Sequence, residues 1–204
     1  MVLYYILVPL AWLVWHIGFR IRVEGRENLK KVQTKGYILA PTHVSAIDPV
    51  FVVITRFWGR RMVVFAKKEL FEINVLLTWF FRWMGALCVR GTREELDVID
   101  QTVEACRNGG TLLIFPEGTR YKGEEGGAGE FKAGAFRIAV KTGAPVVPVA
   151  ITGARALFEN NGNLCHPGSV HIKVLPPIRT AGMSKAEQKQ LPDAVRQSIL
   201  AALK

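Results

Sequence analysis

The sequence predicts a single α/β domain, with a mixed, mostly parallel sheet flanked by helices and an N-terminal hydrophobic helix that anchors the chain to a membrane. Short apolar runs alternate with longer amphipathic segments, which is typical of a sheet covered by helices on its faces. The 204 residues suffice for one domain with a sizeable core and are few for two. Half of the residues are apolar, which excludes an intrinsically disordered chain.

The N-terminal segment predicts a membrane anchor. Residues 1–19 carry no acidic or basic side chain when His16 is neutral, and residues 1–15 are apolar throughout. Because about 20 apolar residues span a bilayer, this length is borderline between spanning it and lying in one leaflet. The segment is not expected to be a standard secretory signal peptide, since it lacks a basic start and a small-residue cleavage site. We expect residues 1–19 to be the anchor and residues 20–204 to form the folded domain; a buried core helix is the alternative.

Apolar runs bounded by turn residues predict the strands. These runs cover residues 21–24, 36–40, 62–66, 86–89, 111–115, 146–151 and 170–175. Apolar positions at helical spacing, with start and stop signals, predict the helices. The helices cover residues 50–57, 69–85, 93–107, 132–142 and 184–203. For the first of them, Asp48 is expected at the cap and Pro49 at the first helical position.

The net charge indicates the class of partner, and the cysteine content indicates which disulfide or metal sites to expect. The net charge of +10 predicts an anionic partner, either a nucleic acid or a phospholipid surface. Three cysteines without a Cys-x-x-Cys pair argue against a disulfide framework and a four-cysteine zinc site. Cys165, His166 and His171 are the one candidate metal set, but a Pro-Gly turn follows His166 and His171 lies in a strand pattern, so no metal site is expected.

His43 and Asp48 lie in a loop between a buried strand and a helix, where α/β proteins often carry reactive groups. They are five residues apart and can converge across the turn into the helix. An aspartate bound to one imidazole nitrogen fixes the tautomer and stabilises the imidazolium, so the other nitrogen can take a proton from an alcohol. The alternative is that Asp48 merely caps the helix and His43 is a packed loop residue.

A second polar loop follows the strand over 111–115. Its sequence is Phe-Pro-Glu-Gly-Thr-Arg, residues 115–120. Proline ends the strand, and glycine permits a positive φ or a close approach. Arg120 offers a planar fork suited to phosphate, and Glu117 can accept hydrogen bonds from hydroxyls. A structural turn with an exposed ion pair is the alternative.

The middle of the chain combines basic and aromatic residues. Residues 50–68 carry five basic side chains and no acidic one, and residues 71–84 are rich in Trp and Phe. Such a combination favours partial contact with a membrane interface, while packing in the core is the alternative.

Together these segments resemble the 1-acylglycerol-3-phosphate acyltransferase family. The family's His-x4-Asp motif matches His43 and Asp48, and its Phe-Pro-Glu-Gly-Thr-Arg motif matches residues 115–120 without a change. Residues 85–91 match the glycine-to-arginine motif, and residues 147–149 match the Val-Pro motif. The resemblance covers residues 23–178, and the stretch over 66–71 is also family-like.

The resemblance implies acyl transfer from acyl-CoA or acyl-carrier protein to the free hydroxyl of lysophosphatidic acid, without a cofactor. His43 would be the general base and Asp48 the residue that orients it. The residues implied in substrate binding are Lys67, Arg90, Glu117, Gly118, Thr119 and Arg120. Lys67, Arg90 and Arg120 would hold the phosphate, and Glu117 with the Gly118 backbone would hold the glycerol. The partners would be a lysophospholipid and an anionic membrane, at the cytoplasmic face of the cell membrane.

Three other functions stay open at this point. The same chemistry can act on another lyso-lipid, such as an ornithine lyso-lipid or lysophosphatidylglycerol. A non-catalytic module could bind nucleic acid through its positive charge. That function explains neither the apolar N-terminus nor the position of Glu117 and Arg120 after a strand, so no nucleic-acid partner is expected. A membrane-anchored scaffold is disfavoured by the intact His43 and Asp48.

Overall fold

The computed structural model describes most of the chain after residue 17. The described residues are 13, 18–30, 32, 36–55, 62–67, 86–89, 94–124 and 126–204. Most of the expected anchor over 1–19, and all of the expected helix over 69–85 with its aromatic residues, lie outside them. Within the described part of the chain, no helix combines the length and apolar character needed to cross a bilayer.

The described strands form one seven-stranded sheet. In chain order they are β1 (Phe19–Glu24), β2 (Tyr37–Pro41), β3 (Met62–Lys67), β4 (Ala86–Val89), β5 (Thr111–Leu113), β6 (Val146–Thr152) and β7 (Gly168–Val174). Across the sheet the order is β1-β7-β6-β2-β5-β3-β4. Neighbouring strands are parallel except for β6 and β7. The prediction of a mixed, mostly parallel sheet in an α/β domain is therefore confirmed.

Helices connect most of these strands. In chain order they are α1 (Glu27–Lys30), α2 (Asp48–Thr55), α3 (Glu94–Arg107), α4 (Arg137–Thr142), α5 (Ala154–Leu157) and α6 (Lys185–Leu203). One 3-10 turn, Ala133–Phe136, leads into α4, and another, Glu159–Asn161, follows α5.

Two apolar layers bury the sheet, one on each face. Along β2, Tyr37 and Leu39 belong to one layer, and Ile38 and Ala40 belong to the other. This division follows from the strand period of two, which points successive side chains to opposite faces. Helix α2 adds Phe51 to the first layer, and α3, α4 and α6 contribute to the second. The central strands are therefore covered on both sides, and their polar groups can reach solvent at the strand ends.

The C-terminal helix α6 packs along the second layer. Leu191, Val195 and Ile199, at the predicted i, i+4 spacing, are buried there. The helix begins with a capping box: the Ser184 hydroxyl accepts from the Glu187 amide, and the Glu187 carboxylate accepts from the Ser184 amide. Local capping and one apolar stripe thus fix this helix on the sheet.

The topology gathers several loops at one edge of the sheet. Strands β2, β3, β4, β5 and β6 run in the same direction, so their carboxyl ends share an edge. Strand β7 runs the other way and β1 pairs with it in parallel, with Phe19 opposite Gly168. The first residue of β1 therefore lies at the same edge as the loops that follow β2, β5 and β6.

The main differences from the prediction concern short elements. Helices α1 and α5 have four residues each and were not predicted, because one turn is too short for a periodic apolar pattern. The helix expected over 132–142 begins instead as a 3-10 turn, with Gly134 inside it. Strand β5 ends at Leu113, although the Ile114 amide still donates to the Leu39 carbonyl at 3.0 Å.

Ile199→Ala should destabilise the protein by about 2–5 kcal/mol, because it leaves a cavity under α6 in a fully buried position. Urea unfolding of wild type and variant measures the difference. Gln197→Ala, on the exposed side of the same helix, should change stability by less than about 0.5 kcal/mol. Equal effects for the two variants would contradict the assigned helix face.

Candidate active site

His43 and Asp48 meet at the carboxyl edge of the sheet, in the loop from β2 to α2. Nδ1 of His43 lies 3.1 Å from Oδ2 of Asp48. The imidazole packs against the Phe115 ring with centroids 4.2 Å apart, and its side chain stays 19% exposed. No described residue hydrogen-bonds to Nε2. One ring nitrogen is therefore held by a carboxylate while the other remains available.

The Asp48 carboxylate is the most deeply buried charged group of this loop. Its Oδ2 accepts hydrogen bonds from the Val44 and Ser45 amides, both at 2.7 Å, in addition to the His43 contact. Burial raises the pKa of Asp48, while His43 and the two amides act in the opposite direction. These bonds keep a carboxylate beside the imidazole in a place that water does not reach.

Asp48 does not act on the helix as the sequence predicted. Helix α2 begins at Asp48 itself, with Pro49 in its first turn, so the expected cap position is wrong by one residue. The hydrogen bonds of Oδ2 go back to the preceding loop. The reason is the tight turn over 43–48, which points its amides toward Asp48.

Glu117 connects the His43 loop to the loop after β5. Its Oε1 accepts from the His43 amide at 2.9 Å and its Oε2 accepts from the Gly129 amide at 3.1 Å. Burial raises the pKa of Glu117, against the lowering effect of those two amides. The residue is 4% exposed. Because both carboxylate oxygens of Glu117 accept hydrogen bonds from backbone amides, the geometry favours a role in positioning His43 over the expected direct contact with glycerol.

The next residues of this loop turn outward. Gly118 has φ +69°, a conformation that favours glycine, and its amide donates to the Phe115 carbonyl. Thr119 is exposed. Arg120 is 48% exposed and its Nη1 lies 3.1 Å from Oε1 of Glu159. The structure thus places Arg120 beside the His43 loop and already paired with a carboxylate.

Glu159 was missed by the sequence reasoning. It follows α5 and accepts from the Ser45 hydroxyl at 2.6 Å and the Ala46 amide at 2.8 Å, besides its ion pair with Arg120. Burial alone raises the pKa of Glu159, but the bonds from Ser45, Ala46 and Arg120 outweigh it and leave that pKa lowered. The available sequence signal was its position shortly after β6, a strand that ends at the same edge.

Arg155 was also missed, and it ties the same two loops together. Its guanidinium donates to the Val44 carbonyl at 3.3 Å, to the Gly123 carbonyl at 2.6 Å and to the Tyr121 carbonyl. The Tyr121 amide in turn donates to the His43 carbonyl at 2.7 Å. Since a guanidinium offers five donors in a rigid plane, one side chain can hold several carbonyls in place.

Of two further predicted phosphate ligands, the structure describes only the backbone of one. Lys67 is the last residue of β3, so its backbone lies at the same edge of the sheet. Arg90 lies outside the described residues. Among the residues that are described, no three His, Cys, Asp or Glu side chains are placed to hold a metal ion together.

Comparison with protein-family models matches about two thirds of this chain. The model described as Acyltransferase matches residues 20–152. The match includes the loops of His43, Asp48 and residues 115–120. It covers more than half of the chain, from β1 to the end of β6.

Curated proteins from distant organisms are similar over most of the chain. A 1-acyl-sn-glycerol-3-phosphate acyltransferase of Borreliella burgdorferi is 31% identical over 93% of this chain and 74% of its own length. The protein of that name from Saccharomyces cerevisiae is 30% identical over 92% of this chain. This chain spans 61% of the yeast protein's length.

A solved structure has a similar fold. It is the crystal structure of the 1-acyl-sn-glycerophosphate (LPA) acyltransferase PlsC from Thermotoga maritima. The superposition gives a TM-score of 0.75 and covers 98% of this chain and 76% of that chain, at 28% sequence identity.

Glu159→Gln should destabilise the protein by about 1 kcal/mol at neutral pH, because the ionised carboxylate stabilises both loops. The folded pKa of Glu159 is lowered from 4.5, so its contribution is present above that value and is lost as the pH falls through the folded pKa. Urea unfolding at several pH values should therefore show the difference shrinking in acid.

Asp100→Asn is the matched control, since Asp100 forms an exposed ion pair with Lys141 away from these loops. It should change stability little at any pH. If the stability difference between wild type and Glu159→Gln grew as the pH fell, that result would contradict the direction assigned to the pKa shift of Glu159.

Proposed function

This chain belongs to the acyltransferase family, and from that membership we propose that it moves a fatty acyl group from acyl-CoA or acyl-carrier protein to the sn-2 hydroxyl of lysophosphatidic acid. The product is phosphatidic acid. The names of the Borreliella, yeast and Thermotoga proteins support this acceptor. The observation that carries the proposal is the 3.1 Å contact between His43 and the buried Asp48, which leaves the second imidazole nitrogen toward the site.

His43 is the proposed general base. Its Nε2 takes the proton of the sn-2 hydroxyl, and Asp48 at Nδ1 stabilises the imidazolium that forms. Because Asp48 is buried and also held by two backbone amides, it fixes the orientation of the ring without moving. Positioned proton transfer of this kind contributes roughly 10²–10⁴-fold to the rate.

Acyl transfer then needs no covalent enzyme intermediate. The deprotonated hydroxyl oxygen attacks the thioester carbonyl carbon, a C–O bond forms and the C–S bond breaks. The imidazolium returns its proton to the departing thiolate, so His43 ends in its starting state. Each proton and electron pair is thereby accounted for with one base and two substrates.

Arg120 is the proposed ligand of the acceptor's phosphate, with Lys67 and Arg90 as further candidates. Arg120 is the supported member, since it lies beside the His43 loop and is half-exposed. Glu117 and Gly118 shape the loop that carries it, and Thr119 lies between them and Arg120 in the chain. A guanidinium beside the His43 loop suits an acceptor whose phosphate is attached next to the reacting carbon.

The site faces a membrane in this proposal, at the cytoplasmic face of the cell membrane. Residues 1–19 form the anchor and residues 20–204 the acyltransferase domain. Support comes from the topology: β1 begins at the sheet edge that also carries His43, so the apolar segment joins the domain on that side. Acceptor and product are both lipids, and a site on that side is within their reach.

Reconstituted wild-type protein should make phosphatidic acid from lysophosphatidic acid and a labelled acyl donor, offered as acyl-CoA and as acyl-carrier protein. His43→Ala should lower the turnover at least about 100-fold, because the base is gone. His171→Ala, at an exposed strand position, should leave turnover unchanged. Full activity of His43→Ala would remove His43 as the base.

Wild type without product from either donor would move the test to ornithine lyso-lipid and lysophosphatidylglycerol. Product from one of these acceptors would retain the chemistry and replace lysophosphatidic acid. No product from any of them would contradict the proposed activity.

Deleting residues 1–18 should release the protein from vesicles that contain anionic lipid, because the anchor is lost while β1 is kept. Flotation of full-length and shortened protein measures this, and circular dichroism checks the fold of the shortened chain. Unchanged flotation of a folded shortened protein would assign membrane binding to the remaining domain.

A further inference from the structure

We propose that Lys132 is a ligand of the acceptor's phosphate, acting together with Arg120. This inference rests on the proposed function, since it names a binding residue for the same acceptor. Neither the sequence motifs above nor the family resemblance pointed to Lys132. The proposal comes from the placement of its ammonium beside Gly118 and from the distribution of charge around it.

The Lys132 side chain lies along the loop that follows β5. A Cβ atom placed on Gly118 would be 3.1 Å from Nζ of Lys132 and 3.4 Å from its Cδ and Cε. The missing side chain at Gly118 thus leaves the space that the lysine occupies. At the other end, the Lys132 amide donates to the Pro116 carbonyl at 2.9 Å.

The backbone of Lys132 is held firmly although its side chain is exposed. The preceding Phe131 is buried and stacks with Phe136, with ring centroids 6.4 Å apart. The Lys132 carbonyl accepts from the Ala135 amide at 3.1 Å, at the start of the 3-10 turn. The ammonium is therefore presented to solvent from an ordered position, which keeps the entropy cost of binding low.

This position adjoins a residue that binds the His43 backbone. Gly118 directly follows Glu117, whose carboxylate binds the His43 amide at 2.9 Å. In lysophosphatidic acid, the phosphate is attached to the carbon next to the one that bears the reacting hydroxyl. We therefore expect a group that binds this phosphate to lie at a loop adjoining His43. Lys132 meets this requirement, because its side chain packs on the loop over 115–120.

Charge balance gives a second argument. Arg120 shares its charge with Glu159 at 3.1 Å, and the Arg155 guanidinium is occupied by loop carbonyls. No described carboxylate pairs with the Lys132 ammonium. A phosphomonoester carries about −1.5 to −2 charges at neutral pH, so Arg120 alone does not balance it. Lys132 supplies a compact cation whose ammonium can approach phosphate oxygens from several directions.

The test compares two acceptors in the reconstituted full-length protein. Lysophosphatidic acid and monoacylglycerol share the glycerol and the acyl chain and differ by the phosphate. Lys132→Met keeps most of the side-chain length and removes the charge. It should raise the KM for lysophosphatidic acid about 10- to 100-fold, as expected for loss of a charged hydrogen bond, with kcat and the donor KM changed little.

Preference for the phosphate-bearing acceptor is the discriminating readout. The ratio of kcat/KM for lysophosphatidic acid to that for monoacylglycerol should fall in Lys132→Met and recover largely in Lys132→Arg. Lys141→Met, another exposed lysine that pairs with Asp100, should leave the ratio unchanged. Lys132→Gln replaces the methionine variant if thermal melting shows that the latter is misfolded.

If the wild type is active and folded Lys132→Met shows an unchanged KM and an unchanged ratio, the assignment of Lys132 is overturned. The proposed function is not affected by that result. A fall in kcat with both acceptors and no change in KM would also overturn it, since that result assigns Lys132 to loop structure. Wild type without phosphatidic acid as product would instead overturn the proposed function, and this inference with it.

Discussion

The buried carboxylate of Asp48 is the interaction on which the rest of the site depends. Its Oδ2 accepts hydrogen bonds from the Val44 and Ser45 amides and contacts Nδ1 of His43. A single atom therefore stabilises the turn and orients the imidazole. A buried charge is costly unless it is paired and hydrogen-bonded, and these contacts are the compensation. The turn over 43–48 and the proposed base are consequently one structural unit, and a change in either alters the other.

Loops from three strands are joined around this unit by side chains that bind backbone. Glu117 connects the loop after β5 to His43, and Glu159, after β6, connects to Ser45 and Ala46. Arg155 holds carbonyls of both other loops. Adjacent parallel strands end at the same edge, and this arrangement makes such ties short. The two acidic residues Glu117 and Glu159 therefore stabilise loops of the site.

The Arg120–Glu159 pair gives the proposed phosphate site a particular electrostatic balance. Hydrogen bonds lower the pKa of Glu159 below that of an ordinary glutamate, so its carboxylate partly neutralises Arg120 wherever the pair persists. An acceptor phosphate must compete with that carboxylate or find a further cation. In our proposal the exposed ammonium of Lys132, beside Gly118, is that further cation. In this proposal, selectivity for a phosphate-bearing acceptor depends on residues from separate segments of the chain.

The sequence by itself determined the fold class, most strands, the C-terminal helix, the position of His43 and Arg120 in loops after strands, and that of Asp48 near the start of the next helix. These features are local: periodicity, turn residues and spacing within a few positions carry them. Only the tertiary structure decided that Glu117 binds the His43 amide, 74 residues away, and that Glu159 binds Ser45, 114 residues away. It also turned Asp48 toward the preceding loop and brought Lys132 to Gly118. Such contacts follow from strand order and loop closure, which no short stretch of sequence encodes.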